Sequence, residues 1–131
     1  MLIVDSSIAV RCCIGAMSLR APFRYAAPPL LWTEAISALH QATWRRELSP
    51  AVADAARTAL NRLPISPDNP RQLHDVAWEV ADQLGLAKTY DAEFLALARI
   101  RGGRVVTADA RLRQVADRLG LILDPVEAFG P

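Results

Sequence analysis

Three short apolar runs place the strongest constraint on how this chain can fold. They lie at residues 2–4, 105–106 and 121–123. None of them alternates between apolar and polar residues, and stretches with helical spacing separate them. Strands that are apolar on both faces are typical of parallel sheets covered by helices on each side. The pattern therefore predicts an α/β fold, in which a central parallel sheet lies between two layers of helices.

The stretches between the runs have clear helix signals. Ser6 or Ser7 stands where a side chain caps a first helix, and Gly85 stands where a helix ends. Residues 91–101 are apolar nearly all round, which indicates a buried helix. Ile65 lies in a short segment bounded by prolines, and that segment predicts an edge strand. The predicted helices cover residues 6–17, 30–48, 50–63, 69–84, 91–101 and 110–120.

Length and composition favour one compact domain over residues 1–131. The chain has 131 residues and is 52% hydrophobic, which is enough for a sizeable core. No apolar stretch approaches the roughly 20 residues that span a bilayer. Asp5 and Arg11 interrupt the N-terminal apolar run, so we expect no signal peptide and a cytoplasmic protein. Cys12 and Cys13 are adjacent, and neighbours in sequence rarely form a disulfide.

Two acidic residues follow two of the predicted strands. Asp5 comes directly after residues 2–4, and Asp109 comes shortly after residues 105–106, beyond Thr107. In open parallel sheets, ligands bind beyond the carboxyl ends of the strands. If these two strands are neighbours, both carboxylates point into one crevice.

Two further acids lie within predicted helices. Asp91 stands at the start of the buried helix, where it either caps the helix or binds a metal ion. Glu34 borders a predicted apolar stripe formed by Leu31, Ala35, Ala38 and Ala42. It is either a boundary residue paired with Arg45 or a ligand that enters the same crevice.

A crevice that gathers carboxylates needs a cation or bound protons, because like charges repel one another. The candidate ligands are oxygen atoms only, and no cluster of cysteine or histidine accompanies them. Oxygen ligands suit Mg²⁺ or Mn²⁺ rather than zinc. Such a cation activates water and stabilises the charge that develops on a phosphodiester.

Four segments of the chain together resemble one known family. They are IVDSSIAV at 3–10, PPLLWTEAISAL at 28–39, TYDAEFLALA at 89–98 and VVTADARL at 105–112. In this order, and over nearly the whole chain, they are similar to the PIN-domain ribonucleases. Within that family they resemble the VapC toxins of type II (VapBC) toxin–antitoxin systems. The resemblance implies a PIN-like three-layer α/β/α sandwich.

The resemblance also implies an activity and a site. It implies an endoribonuclease that depends on Mg²⁺ or Mn²⁺ and leaves a 3′-hydroxyl and a 5′-phosphate. A homodimer and a cognate VapB-type antitoxin are implied as partners, beside the RNA substrate. Ser7 and Thr107 are implied to help through their hydroxyl groups. The implied catalytic and metal-binding residues are Asp5, Glu34, Asp91 and Asp109.

Other interpretations remain beside this one. Glu93 is either a metal contact or a first-turn helix residue, and Arg111 either contacts RNA phosphate or is solvated. The segment at 11–23 lacks the aromatic and acidic residues often found there in the family, which leaves its local contribution to substrate preference open. A PIN-fold binding module with little catalysis, or a non-toxin PIN nuclease in RNA processing, are the alternative functions.

Overall fold

The computed structural model describes residues 1–130 and is built around a five-stranded sheet. The strands lie in the order β3-β2-β1-β4-β5, and every neighbouring pair is parallel. The sheet is therefore the parallel sheet that the three apolar runs predict. The strands are β1 (Leu2–Val4), β2 (Tyr25–Ala27), β3 (Ile65–Pro67), β4 (Arg104–Val106) and β5 (Ile122–Leu123).

Seven α-helices flank this sheet. Helices α1, α2 and α3 contact one another, whereas α4 packs on α5, which in turn contacts β1 and β4. The predicted α/β/α sandwich is thus confirmed. The helices are α1 (Ser6–Cys13), α2 (Leu30–Trp44), α3 (Pro50–Leu60), α4 (Leu73–Leu84), α5 (Tyr90–Arg101), α6 (Ala110–Ala116) and α7 (Pro125–Phe129), with a 3₁₀ turn at Asp117–Leu119.

Helix α5 and the two central strands make the middle of the core. All of Phe94 to Ala98 is buried, as are the residues of β1. Burial on every side of residues 94–98 explains why the middle of α5 is apolar all round. The helix ends at Gly102, whose φ of 67° is the left-handed conformation that glycine adopts without strain. The next residue, Gly103, meets a different constraint, since a Cβ there would lie 2.7 Å from the carbonyl oxygen of Met1.

Several predicted details are wrong. Asp5, not Ser6 or Ser7, is the N-cap of α1, because its carboxylate accepts the backbone N–H of Ile8. In α2 the buried residue is Leu39 rather than Ala38, which is exposed. Helices α2 and α4 are shorter than expected: one ends at Trp44 and the other begins at Leu73.

Two further features of the chain bear on the predictions. Helix α7, which no pattern predicted, begins with Pro125 and is capped by Asp124. Ile65 does lie in an edge strand, as its proline-bounded segment predicts. Within residues 1–130 no helix is both long and apolar enough to cross a membrane.

Candidate metal-binding site at the carboxyl ends of the strands

The adjacent strands β1 and β4 bring the first two acids to one place. They are paired in parallel, with Val4 opposite Val106. The next residues along the two strands are therefore Asp5 and Thr107, and the Asp5 N–H donates to the Val106 carbonyl at 3.4 Å. The expectation that the two strands are neighbours is confirmed. It follows that Asp5 and the loop leading to Asp109 share the carboxyl edge of the sheet.

Asp5 is buried and is held by three donors. Only 5% of it is exposed. One carboxylate oxygen accepts from the Ser7 hydroxyl at 2.6 Å and from the Ile8 N–H at 3.2 Å, and the other accepts from the Thr107 hydroxyl. Burial raises the pKa of Asp5 above its ordinary value, although these hydrogen bonds oppose the shift. The orientation of this carboxylate is consequently defined by the protein before any ligand binds.

The two hydroxyl groups also tie the strand ends together. The Ser7 hydroxyl, while donating to Asp5, accepts the N–H of Ala108 at 3.0 Å. The Thr107 hydroxyl likewise donates to Asp5 and accepts the N–H of Asp109 at 3.0 Å. Each hydroxyl therefore links the carboxylate of β1 to the backbone of the loop after β4. This geometry agrees with a supporting role of Ser7 and Thr107 beside the acids.

Asp109 is the N-cap of α6, and its charge also acts on two of the other acids. One of its carboxylate oxygens accepts the N–H groups of Arg111, at 2.9 Å, and Leu112, at 3.3 Å. The residue is half-buried. Its negative charge raises the pKa of both Asp5 and Asp91, behind burial as the larger cause in each case. One carboxylate oxygen of Asp109 therefore caps α6, and the negative charge of Asp109 acts on Asp5 and Asp91.

Asp91 lies in the first turn of α5 but does not cap it. The N-cap is Thr89, so the interpretation of Asp91 as a helix cap is wrong. Asp91 is half-buried, and its pKa is raised by burial and by Asp109, with Arg111 lowering it in part. Its carboxylate is thus placed by the helix and is not engaged at the helix end.

Glu34 is a carboxylate whose pKa is strongly raised. Burial, followed by the charges of Asp91 and Asp5, raises this pKa to about 7. Within residues 1–130, the ion pairs do not include one between Glu34 and Arg45. A neighbouring arginine would hold the pKa down rather than allow it to rise. The predicted alternative of a Glu34–Arg45 pair is therefore wrong.

The two weaker candidates occupy different surroundings. Glu93 is half-buried and lies 3.8 Å from Nε2 of His74, and burial raises its pKa while His74 lowers it. Arg111 lines a cleft of about 400 Å³ together with Glu34 and Asp91. Lys88 lines the same cleft and was not predicted. Lys88 lies three residues before Asp91, in the connector at 86–89. No pattern in that connector indicates the direction in which the chain turns.

The donor set suits a hard divalent cation. In the described part of the chain, no three side chains of His, Cys, Asp or Glu already stand close enough to hold one ion together. Mg²⁺ typically binds through one or two carboxylates and keeps several waters and substrate oxygens. Mutually repelling carboxylates with raised pKa values are also what a cation would stabilise. The residues present therefore fit Mg²⁺ or Mn²⁺ better than a cation that needs a closed cage of protein ligands.

Comparison with known proteins identifies the family and the fold. The sequence profile of the PIN domain matches residues 2–118, a range that contains the four acids described above. The fold is similar to the crystal structure of PAE2754 from Pyrobaculum aerophilum, with a TM-score of 0.69 and 24% sequence identity. That similarity covers 94% of this chain and 89% of the other. Among curated proteins, none matches the chain.

Proposed function

The chain belongs to the PIN domain family, and from this premise we propose that it is the toxin component of a VapBC-type toxin–antitoxin system. Its proposed activity is the hydrolysis of RNA phosphodiester bonds by an endoribonuclease that depends on Mg²⁺ or Mn²⁺. PIN domains are generally nucleases, which supports the class of reaction. The toxin role has its support in the four sequence segments that resemble VapC proteins.

One observation carries the proposal. The four acids are electrostatically coupled: the charge of Asp109 raises the pKa of Asp5 and Asp91, and the charges of Asp91 and Asp5 raise that of Glu34. Placing several carboxylates together is unfavourable for the folded chain. Such an arrangement is typical of a site whose stabilising cation is part of the function. Glu34 and Asp91 have no evident structural task there, because only Asp5 and Asp109 serve as helix caps.

The proposed roles follow from the positions of the side chains. Asp5, Asp91 and Asp109 would hold the cation, which supplies charge stabilisation for the attacked phosphate and a more acidic water. Glu34 would act as a further ligand or orient the attacking water. Because its pKa is about 7, this carboxylate can accept a proton near neutral pH.

The supporting residues would keep these carboxylates in position. Ser7 and Thr107 hold Asp5 through their hydroxyl groups, and Asp5 is the most buried of the four acids. Glu93 and Arg111 would contact the water shell and the RNA, respectively. We further propose that residues 1–131 form one PIN domain, which assembles as a homodimer and is inhibited by a VapB-type antitoxin.

A cleavage assay with purified, antitoxin-free protein tests the catalytic proposal. A defined RNA is incubated with Mg²⁺, with Mn²⁺ or with EDTA, and the product ends are mapped. We expect cleavage with either metal, a 3′-hydroxyl and 5′-phosphate, and no cleavage in EDTA. Asp5→Asn should abolish the activity, whereas the matched control Asp82→Asn, an exposed aspartate on α4, should cleave like the wild type.

The results also separate the alternatives. Cleavage by Asp5→Asn at the wild-type rate would contradict the catalytic assignment, and RNA binding without cleavage by the wild type would indicate a binding module. The toxin role has its own test, which is growth after induced expression. Growth arrest by the wild type and not by Asp5→Asn supports a toxin. Normal growth with an active nuclease would indicate an RNA-processing enzyme.

A further inference from the structure

A second cleft opens beside Asp109. It has a volume of about 630 Å³, and its walls are the loop after α1, the start of α6 and helix α7. Thr107 and Asp109 line it, so the cleft reaches the acidic cluster. It does not include Glu34 or Asp91, which line the smaller cleft. Asp109 thus lines one cleft, and Glu34 and Asp91 line the other.

This second cleft is rich in arginine. Arg11, Arg20 and Arg113 all line it. Arg113 is paired with Asp124, a neighbour in the same cleft. Arg11 and Arg20 are exposed and make no ion pair with a carboxylate within residues 1–130. Two cations without protein partners therefore stand in a cleft that ends at the acids.

The backbone that carries Arg20 is firmly anchored. The Tyr25 hydroxyl accepts the N–H of Arg20 at 2.8 Å and donates to its carbonyl at 2.6 Å. The Tyr25 ring is buried and packs against Phe129, with 6.1 Å between the ring centroids. The guanidinium of Arg20 lies close to Gly130. The backbone that carries this exposed cation is thus fixed by a buried side chain, so a ligand that binds Arg20 has to order its side chain but not its backbone.

Basic side chains also stand on the other side of the acids. Arg111 and Lys88 line the smaller cleft with Glu34 and Asp91. A single phosphate ester would need cations at one place only. Cations in two clefts, each lined by at least one of the acids, match a polymer whose phosphates continue in both directions.

We infer that an RNA strand crosses the acidic cluster, with Arg11 and Arg20 binding backbone phosphates on one side and Arg111 and Lys88 on the other. The inference rests on the proposed function and adds how its substrate is held. Arginine suits this task because its planar guanidinium makes two parallel hydrogen bonds to a phosphate. Contacts to phosphate position the strand without reading its sequence.

RNA binding by a non-cleaving protein tests this inference. The Asp5→Asn variant, and wild type in EDTA, are titrated against a fluorescently labelled single-stranded RNA of about 12 nucleotides. Titrations are repeated between roughly 50 and 300 mM salt. The same measurements are made with Arg11→Gln and Arg20→Gln, singly and together. The matched control removes Arg62 and Arg104 in the same way, because both are exposed and line neither cleft.

The expected results are specific to the cleft. Each arginine should contribute about fivefold to the affinity. The double variant should lower the salt slope by about 1.4, because each phosphate contact on a single strand contributes about 0.7. In the cleaving protein, KM should rise while kcat changes little. The Arg62 and Arg104 control should leave the affinity and the slope unchanged.

Other outcomes distinguish this inference from the proposed function. Equal binding by the double variant and the control, with normal cleavage by the wild type, would overturn the inference and leave the nuclease standing. Failure of every protein to bind RNA would overturn both. Arginine-dependent binding by a wild type that cleaves nothing would support the RNA path and contradict the nuclease. Circular dichroism of each variant verifies that it is folded.

Discussion

The four acids of the site fall into two pairs that are held in different ways. Asp5 and Asp109 follow the strands β1 and β4, and both carboxylates accept hydrogen bonds from fixed donors. Glu34 and Asp91 come from helices, and neither caps its helix. The strand-end pair also has a structural task, because each aspartate begins the helix that follows it.

This difference indicates that the two pairs of acids have different tasks within one site. The strand-end pair is oriented by the sheet and by the hydroxyl groups of Ser7 and Thr107, whatever is bound. The helix-borne pair caps no helix, and we expect its charge to respond more readily to protons and cations. We therefore expect substitutions of the strand-end pair to affect structure and activity, and changes of pH to act mainly through Glu34.

The largest expected effect is on cleavage. Asp5→Asn or Asp109→Asn should lower the initial rate by on the order of a thousandfold, because an amide cannot neutralise a cation and the site depends on fixed charge. Glu34→Gln should lower it by on the order of a hundredfold or less, since a residue that orients water is partly replaced by solvent. Initial cleavage rates at saturating Mn²⁺ measure the effect of each substitution.

Equal losses of cleavage rate in the Asp5, Asp109 and Glu34 variants would contradict the proposed difference between the strand-end and helix-borne pairs. Melting temperatures of the variants provide the control. A variant that has lost its folded state is excluded from the comparison of rates.

The next effect concerns stability at the strand ends. Thr107→Val should lower the free energy of unfolding by about 1–3 kcal/mol, because one buried oxygen of Asp5 and the Asp109 N–H both lose their hydrogen-bond partner. Ser7→Ala should cost less, since Ser7 is only half-buried. Urea denaturation measures the change. The matched control is Thr58→Val on α3, an exposed position where we expect a change within about 0.5 kcal/mol.

A Thr107→Val loss no larger than that of the Thr58→Val control would contradict the view that the hydroxyl group ties β1 to the loop after β4. A comparable loss at Ser7 and Thr107 would instead show that burial does not separate the two hydroxyl groups.

A smaller effect should appear as a dependence of stability on pH. The pKa of Glu34 is raised from its ordinary value of 4.5 to about 7 in the folded chain. The folded state therefore holds this proton more tightly than the unfolded state, and stability falls as the pH rises between these two values. In EDTA, unfolding should cost about 1 kcal/mol more at about pH 5.5 than at about pH 8, after allowance for the partial exposure of Glu34.

Glu34→Gln is the control for this prediction, because its side chain does not titrate. Urea denaturation of this variant should show a flatter dependence on pH. Saturating Mg²⁺ should flatten the wild-type curve in the same way, since the cation favours the ionised carboxylate. An unchanged slope in Glu34→Gln would assign the dependence to Asp5, Asp91 or Glu93, whose pKa values are also raised.

The smallest effect is expected where α6 meets α7. Arg113 pairs with Asp124 across an exposed surface, and such pairs contribute little. Arg113→Gln should lower the free energy of unfolding by about 0.5 kcal/mol or less and leave kcat within about twofold. Urea denaturation measures the free energy of unfolding, and cleavage rates measure kcat. A large loss of kcat would show that the position of Asp109 depends on the distant Arg113–Asp124 pair. Asp109 would then differ from Asp5, whose carboxylate is oriented by its own hydrogen bonds.

Much of the fold follows from local patterns. The apolar runs of β1 and β4 and the glycine at the end of α5 are strong signals, because burial on both faces and a positive φ each restrict residue choice severely. The N-cap of α1 was misassigned because Ser6, Ser7 and Asp5 are all good caps, and only the backbone geometry selects among them. Helix α7 is five residues long and was too short to leave a periodic pattern.

The candidate site was predicted in part for the same reason. An acid directly after a buried strand is a readable signal, so Asp5 and Asp109 were found from position alone. Glu34 and Asp91 needed the resemblance to a family, because an acid within a helix has several ordinary roles. Arg11, Arg20 and Lys88 were missed, since exposed basic residues carry no periodicity and the loops that place them have none.

The sequence by itself determined a parallel α/β sheet, the polarity of its strands and the acids at their carboxyl ends, because burial and chain direction are encoded in local patterns. Only the tertiary structure decided which strands are neighbours and which hydroxyl groups hold Asp5. It also decided that Asp109 lines one basic cleft, whereas Glu34 and Asp91 line another. These are contacts between residues up to 102 positions apart, as between Asp5 and Thr107, and they depend on how the whole chain packs.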